Sequence, residues 1–300
     1  MKILVIGSKG FIGSHATAFF GNKGNEVWGC DVVVDYTSEK YILIDATNAD
    51  FHTVFQEQQF DVCINCSGAA SVPDSLKHPL RDYTLNTLNV YKLLDAIRQY
   101  QSMCKFINLS SAAVYGNPSV LPIAETSDLH PLSPYGLHKL QAEQICKEFY
   151  TYYNIPTCSL RIFSAYGEGL KKQLFWDLAK KAKQGEAFTL FGTGRESRDF
   201  IHVSDLINAI DLVISKGNFN GGAINVANGQ EILIENAVSL FYELWGKKIK
   251  YTFSGEERKG DPNNWVADIS IIKSMGYESK TPIREGLRKY HEWLKKEDLG

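Results

Sequence analysis

Tyr135 and Lys139, four residues apart, have the types and spacing to move a proton. On a helix the two share a face, so the lysine charge can draw the phenol down from its ordinary value of about 10 toward neutrality. Such a phenol can take a proton from an alcohol while a serine hydroxyl holds the reacting oxygen in place. Ser111, at the end of an apolar run 24 residues before Tyr135, fits that second part. The same spacing recurs at Tyr36 and Lys40, as chance alone would produce about once in a chain with 15 Tyr. Tyr36 follows no serine-rich strand end, whereas Tyr135 opens a helical segment, so Tyr135 is the candidate base.

A second group of residues suits an anion. Gly7-Ser8-Lys9-Gly10-Phe11-Ile12-Gly13 follows the first apolar run directly and opens a helix. Strand, glycine turn and helix N-terminus together turn backbone amides and a helix dipole toward a pyrophosphate, with no side chain between. Asp31 closes the second apolar run about 20 residues further on, where a carboxylate accepts hydrogen bonds from an adenosine ribose and repels a 2′-phosphate. No arginine follows nearby to hold that phosphate, so the pattern favours NAD over NADP, although a strand-end turn residue would also suit Asp31.

These residues need a scaffold, and the chain offers one. Lys2 to Ile6, Glu26 to Cys30, Tyr41 to Ile44, Val62 to Asn65, Phe106 to Leu109 and Thr157 to Ile162 read as short buried strands. Helical periods over Tyr83 to Tyr100 and Leu137 to Tyr153 lie between them, which predicts a doubly wound parallel sheet. Beyond Gly167 the pattern changes to helices at Gln173 to Gln184, Val203 to Ser215 and Ile234 to Trp245, with strands at Phe188 to Phe191, Ala223 to Val226 and Ile249 to Phe253. The expected architecture is α/β, a dinucleotide-binding domain over residues 1–166 and a smaller mixed α/β substrate lobe over 167–300. The chain has 300 residues, 44% hydrophobic and 22% charged, and a net charge of −2, a balance that excludes a general binder of nucleic acid or membrane surfaces. No apolar run approaches the ~20 residues of a spanning helix and the start lacks a signal-peptide core, so a cytoplasmic protein is expected. Six cysteines are too sparse for a disulfide framework. Cys63 and Cys66 sit in a strand that would send their thiols to opposite faces, so no metal site is expected.

The G-x-x-G-x-x-G spacing resembles the extended short-chain dehydrogenase/reductase family, and further marks of that family follow in order. Asp45-Ala46 resembles the adenine-contacting acidic position, Asn65 to Ala70 the strand and turn beside the cofactor (Ser67, Gly68 and Ala69 among them), and Asn86 the asparagine of the long helix. Ser110 to Gly116 is similar to S-S-x-x-V-Y-G, and Ser133 to Lys139 contains the Y-x-x-x-K. Leu160 to Gly167 resembles L-R-x-F-N-x-Y-G with Ser164 in place of the asparagine, and Arg198 to Val203 and Arg258 to Pro262 resemble the arginine segments of nucleotide-sugar enzymes.

The resemblance implies NAD held by Gly7, Lys9, Gly10, Phe11, Ile12, Gly13, Asp31, Asp45, Ala46, Ser67, Gly68, Ala69 and Asn86, together with Tyr135 and Lys139. It implies catalysis by Ser111, Tyr135 and Lys139, and a nucleotide sugar held by Ser164, Arg198, Arg258 and Asp261. Guanidinium forks at Arg198 and Arg258 suit a diphosphate, although ion pairs with Glu196 or Glu257 would also occupy them. Dehydratases of the family carry an Asp-Glu pair after the serine or threonine; Ala112 and Ala113 stand there, against dehydration. The expected activity is 4-epimerisation of a nucleotide sugar through transient oxidation at C4. The alternatives are an NAD(P)H-dependent reductase of a 4-keto-6-deoxysugar nucleotide and, from another class, a non-catalytic dinucleotide sensor. The family also implies a homodimer through the helices Tyr83 to Tyr100 and Leu137 to Tyr153, whose apolar residues sheet packing explains equally well.

Overall fold

The computed structural model describes every residue except 186, 247–248, 257–261 and 298–300. The strands are β1 (Lys2–Ile6), β2 (Glu26–Asp31), β3 (Tyr41–Leu43), β4 (Val62–Asn65), β5 (Lys105–Ser111), β6 (Thr157–Ile162), β7 (Ser164–Tyr166), β8 (Ala187–Leu190), β9 (Ser197–Arg198), β10 (Phe200–His202), β11 (Ala223–Val226), β12 (Ile232–Leu233) and β13 (Lys250–Phe253). The α-helices are α1 (Phe11–Asn22), α2 (His52–Glu57), α3 (Val72–Lys77), α4 (Pro79–Tyr83), α5 (Asn89–Tyr100), α6 (Pro134–Tyr153), α7 (Gln173–Gln184), α8 (Val203–Lys216), α9 (Ile234–Trp245), α10 (Ser270–Ser274) and α11 (Ile283–Lys296).

Seven strands form one parallel sheet in the order β11-β6-β5-β4-β1-β2-β3. Helices cover both faces, so its central strands are apolar at consecutive positions. In β1, Ile3 and Val5 join Ala16 and Phe20 of α1 and Leu206 and Ile210 of α8. Leu4 and Ile6 face the other way, onto Phe55 of α2, Leu93 and Leu94 of α5, and Cys146 and Phe149 of α6. The same alternation sends Cys63 into one core and Cys66 toward the other, and all six cysteines are free.

The sequence reading places Ala223 to Val226 in the second lobe; the strand instead pairs with β6 at the edge of the central sheet. Its partner is set by contacts more than 60 residues away in sequence, which local pattern does not carry. The second lobe has its own core, where Phe175 of α7, Phe241 of α9 and Leu287 and Tyr290 of α11 meet. Short parallel pairs β7/β10 and β8/β13 and the antiparallel pair β9/β12 frame it.

Two helices differ from expectation. α6 begins at Pro134, three residues before Leu137, because Ser133 caps it through a bond from the Gly136 amide and Pro134 fits the first helical position. The segment read as one helix from Tyr83 starts at Pro79 and is broken by a π-helical turn over Thr84–Leu88.

Candidate active site

The carboxyl ends of the parallel strands gather the expected residues along one edge, where ligands of open α/β sheets bind. After β1, Gly7 adopts φ +75° and its amide donates to Cys30 O at 2.7 Å. A Cβ on Gly13 would lie 2.0 Å from Gly7 O, and one on Gly7 would lie 2.7 Å from Ser67 N. The glycines therefore let α1 and the turn after β4 close on the first turn. Gly10 caps α1 without any side-chain hydrogen bond, which leaves the helix start open to an anion. Phe11 and Ile12 pack their side chains against the core, so what they offer at that end is backbone.

Asp31 ends β2 and accepts from the amides of Lys9 at 2.8 Å and Val32 at 2.7 Å. Lys9 sends its ammonium to Asp35 and lies 5.0 Å from the Tyr41 ring centre, away from the open helix start. Asp45 closes its own turn by accepting from Thr47 and Asn48, bonds that hold its carboxyl below the usual range, and Ala46 beside it is exposed. After β4, Ser67 donates to Asn65 Oδ1 at 2.6 Å. Gly68 has φ +121°, and a Cβ there would lie 2.5 Å from Asn86 Oδ1 and 3.4 Å from Lys139 Nζ. Three expected residues from three elements thus converge on one spot.

Asn86 lies in the π-helical turn, 1% exposed, and neither atom of its amide has a partner. Orphaned buried amides are rare because each lost bond costs about 1–3 kcal/mol. This one fits an absent ligand, and a π-turn is a common device for aiming a functional side chain.

Ser111 at the end of β5 and Tyr135 in the first turn of α6 are brought to the same place, because α6 packs on β5 and on the turn that follows it. Gly136 permits the approach, since a Cβ there would lie 2.6 Å from Ala113 O and would push α6 away from the turn after β5. Burial drives the Tyr135 phenol up to about 12; the neighbouring Ser111 hydroxyl acts the other way and the Asp82 carboxylate raises it further. Lys139 is 7% exposed and donates to Leu109 O at 2.8 Å, and burial draws its ammonium down to about 8.

On the second lobe's side, Ser164 lies in β7, its amide bonded to Asp199 O at 2.9 Å. Arg198 donates to Ser197 O and Asn263 O, and its guanidinium lies 5.6 Å from the Trp265 ring centre. Arg258 and Asp261 lie outside the described residues. Among the described residues no group of His, Cys, Asp and Glu could hold a metal, and no helix is long and apolar enough to cross a membrane.

Sequence reasoning missed two buried networks behind these residues. Ser110 donates to Glu143 at 2.5 Å; Glu143 takes three bonds from Arg161, which also reaches the Tyr115 hydroxyl at 2.8 Å. His138 meets Asp82 at 2.6 Å between α6 and α4. The available signal was periodicity: His138 stands three residues after Tyr135 and Glu143 four after Lys139, on the face that Tyr135 and Lys139 share.

A glycine turn, a Tyr-Lys pair and a strand-end serine, all at the carboxyl ends of a seven-stranded parallel sheet, define a Rossmann-fold enzyme of the short-chain dehydrogenase/reductase class. The chain belongs to the NAD dependent epimerase/dehydratase family, whose model matches residues 3–227. It is 31% identical over 307 residues to an uncharacterized UDP-glucose epimerase of Bacillus subtilis, covering 96% of each chain. It is also 31% identical to a UDP-glucose 4-epimerase of Lactobacillus helveticus, over 93% of this chain and 92% of the relative. The solved structure of the Bacillus cereus UDP-glucuronic acid 4-epimerase with UDP-glucuronic acid and NAD superposes with a TM-score of 0.89 at 28% identity, over 99% of each chain.

Proposed function

We propose that the protein is an NAD-dependent 4-epimerase of a uridine-diphosphate hexose or hexuronic acid. The observation that carries this reading is the meeting of Gly68, the partnerless Asn86 amide and Lys139 where α6, which begins with Tyr135, packs on the strand that ends in Ser111. A glycine cradle and an orphaned buried amide fit a dinucleotide that places its reactive ring next to a base. The named activities of the relatives support the sugar and its C4.

The residues then divide the work. The open start of α1, with Gly7, Gly10 and Gly13 and the amides of Phe11 and Ile12, would hold the pyrophosphate. Asp31 would accept from the adenosine ribose, with Lys9 bracing its loop through Asp35, while Asp45 and Ala46 would border the adenine. Ser67, Gly68, Ala69 and Asn86 would line the nicotinamide end. NAD, when bound, would supply a hydride acceptor that takes the C4 hydride and returns it to the opposite face. Tyr135 would take the C4 hydroxyl proton and give it back, Ser111 would donate to the C4 oxygen, and Lys139 would lend the charge that lowers the phenol. Ser164 and Arg198, with Arg258 and Asp261, would hold the nucleotide sugar, most of it on the 167–300 lobe.

The test is to denature the purified protein without added cofactor and identify what it releases, then to supply UDP-glucose, UDP-glucuronic acid and UDP-N-acetylglucosamine. Stoichiometric NAD, with interconversion of at least one sugar and its C4 epimer, is the expected result. A protein released empty that consumes NADH or NADPH on a 4-keto sugar nucleotide would instead establish a reductase, and NAD release without turnover of any sugar nucleotide would favour a sensor.

A further inference from the structure

We propose that Trp265 is a positioning residue for the nucleotide sugar: its indole holds the Arg198 guanidinium in the plane in which it meets the diphosphate. The proposal rests on the reading of Arg198 as a ligand of that diphosphate. A guanidinium fork grips two phosphate oxygens only when its plane is fixed, and the long flexible arginine stem does not fix it. Arg198 Nη1 donates to Ser197 O at 2.7 Å and to Asn263 O at 3.2 Å. Two carbonyls at one nitrogen fix a point and not a plane. The ring that sets the plane is the Trp265 indole, over which the guanidinium lies 5.6 Å from the centre. Indole attracts a cation to its face more strongly than the other aromatic side chains, so it holds the charge as well as orienting it.

The indole is itself held. Trp265 is 8% exposed, and a buried indole N–H needs an acceptor. Its Nε1 donates to Gly116 O at 3.0 Å, and the Phe163 ring stands edge-on to it at 5.9 Å. The backbone on either side is pinned as well. The Trp265 amide donates to Ser197 O at 3.3 Å, the Asn263 amide to Asn117 Oδ1 at 2.7 Å and the Asp268 amide to Ile123 O at 2.8 Å. Residues 263–268 therefore tie the loop that follows Ser111 to β9, which carries Arg198. Trp265 spans that junction, with its N–H on Gly116 and its ring face under the guanidinium. Phenylalanine there would keep a ring face without the donor, and leucine would supply neither.

The test is a double-mutant cycle on the binding of UDP, read by isothermal titration calorimetry in protein supplied with NAD. Trp265→Leu is expected to weaken UDP about tenfold, and Trp265→Phe to recover at least about half of that loss on a logarithmic scale. In an Arg198→Met background Trp265→Leu should change the affinity by less than about twofold, because an indole that acts through Arg198 has nothing left to position. A loss of the same size in both backgrounds, as a merely structural role would give, overturns the proposal. Should Trp265→Leu fail to fold by circular dichroism, replacement of tryptophan by 5-fluorotryptophan, which withdraws charge from the ring face and keeps its shape, decides by the same comparison of native and Arg198→Met chains. Arg198→Met that binds UDP as tightly as the native chain overturns the underlying reading. Arg198→Met that binds UDP weakly, beside a Trp265→Leu that binds it normally, overturns the role of Trp265 alone.

Discussion

Lys139 is buried at a cost to the folded chain. Its ordinary value of 10.5 falls to about 8 in the folded chain. Between those two values the folded chain binds fewer protons than the unfolded one, so stability from this group rises with pH across the window. The penalty is present in full below about pH 8 and is relieved by about 3 kcal/mol on passing to about pH 10.5. Urea unfolding of the native chain and of Lys139→Met at the two ends of that window should show the increment in the first and not in the second. Parallel behaviour of the two chains would refute the assignment. Tyr135, Lys139 and Ser111 were legible in the sequence because their order and spacing reflect a strand end followed by a helix start. The Asp82–His138 pair was not, since its members are 56 positions apart and each type is ordinary on a helix surface. Only the packing of α4 on α6 turns them into a buried dyad.

Among the elements, α6 carries the finest tolerance, because its first turn must lie against the turn after β5. Gly136→Ala would force a Cβ to within 2.6 Å of Ala113 O and so separate Tyr135 from Ser111. Turnover should fall about 100-fold, and the fold should lose about 1–3 kcal/mol to overpacking. Steady-state kinetics beside a thermal melt separates the two effects; unchanged turnover would show that the close approach is not needed. The buried strands were readable because a parallel sheet covered on both faces demands consecutive apolar residues, as in Ile3 to Ile6. The π-helical turn at Thr84–Leu88 had no such mark. One extra residue in the turn leaves composition and period almost unchanged, yet it lies where Asn86 is buried without a partner.

At the scale of the whole molecule, the helices that flank the site also present an apolar surface. Leu76, Leu80, Tyr83, Leu88, Tyr91 and Leu137 of the α3 to α6 region are each more than a third exposed, while Leu93, Leu94 and Phe149 pack on the sheet. We infer a homodimer through the exposed set. Sedimentation should give twice the 33.7 kDa chain mass, and Leu80→Glu should return it to one chain; a native chain that stays single at micromolar concentration would remove the inference. The change of pattern after residue 166 is what the sequence offers for dividing the chain, and it carries no sign of the return of β11 to the sheet. A fragment ending at residue 166 would leave β6 with an unpaired edge and is expected to aggregate, where a fragment ending at residue 227 keeps that edge covered; light scattering of the two distinguishes them. The same return sets an order of events during synthesis. The β6 edge forms early yet stays open until residue 226 has emerged, so the growing chain passes through an interval in which a neighbouring nascent chain, or a chaperone, can take the place reserved for β11.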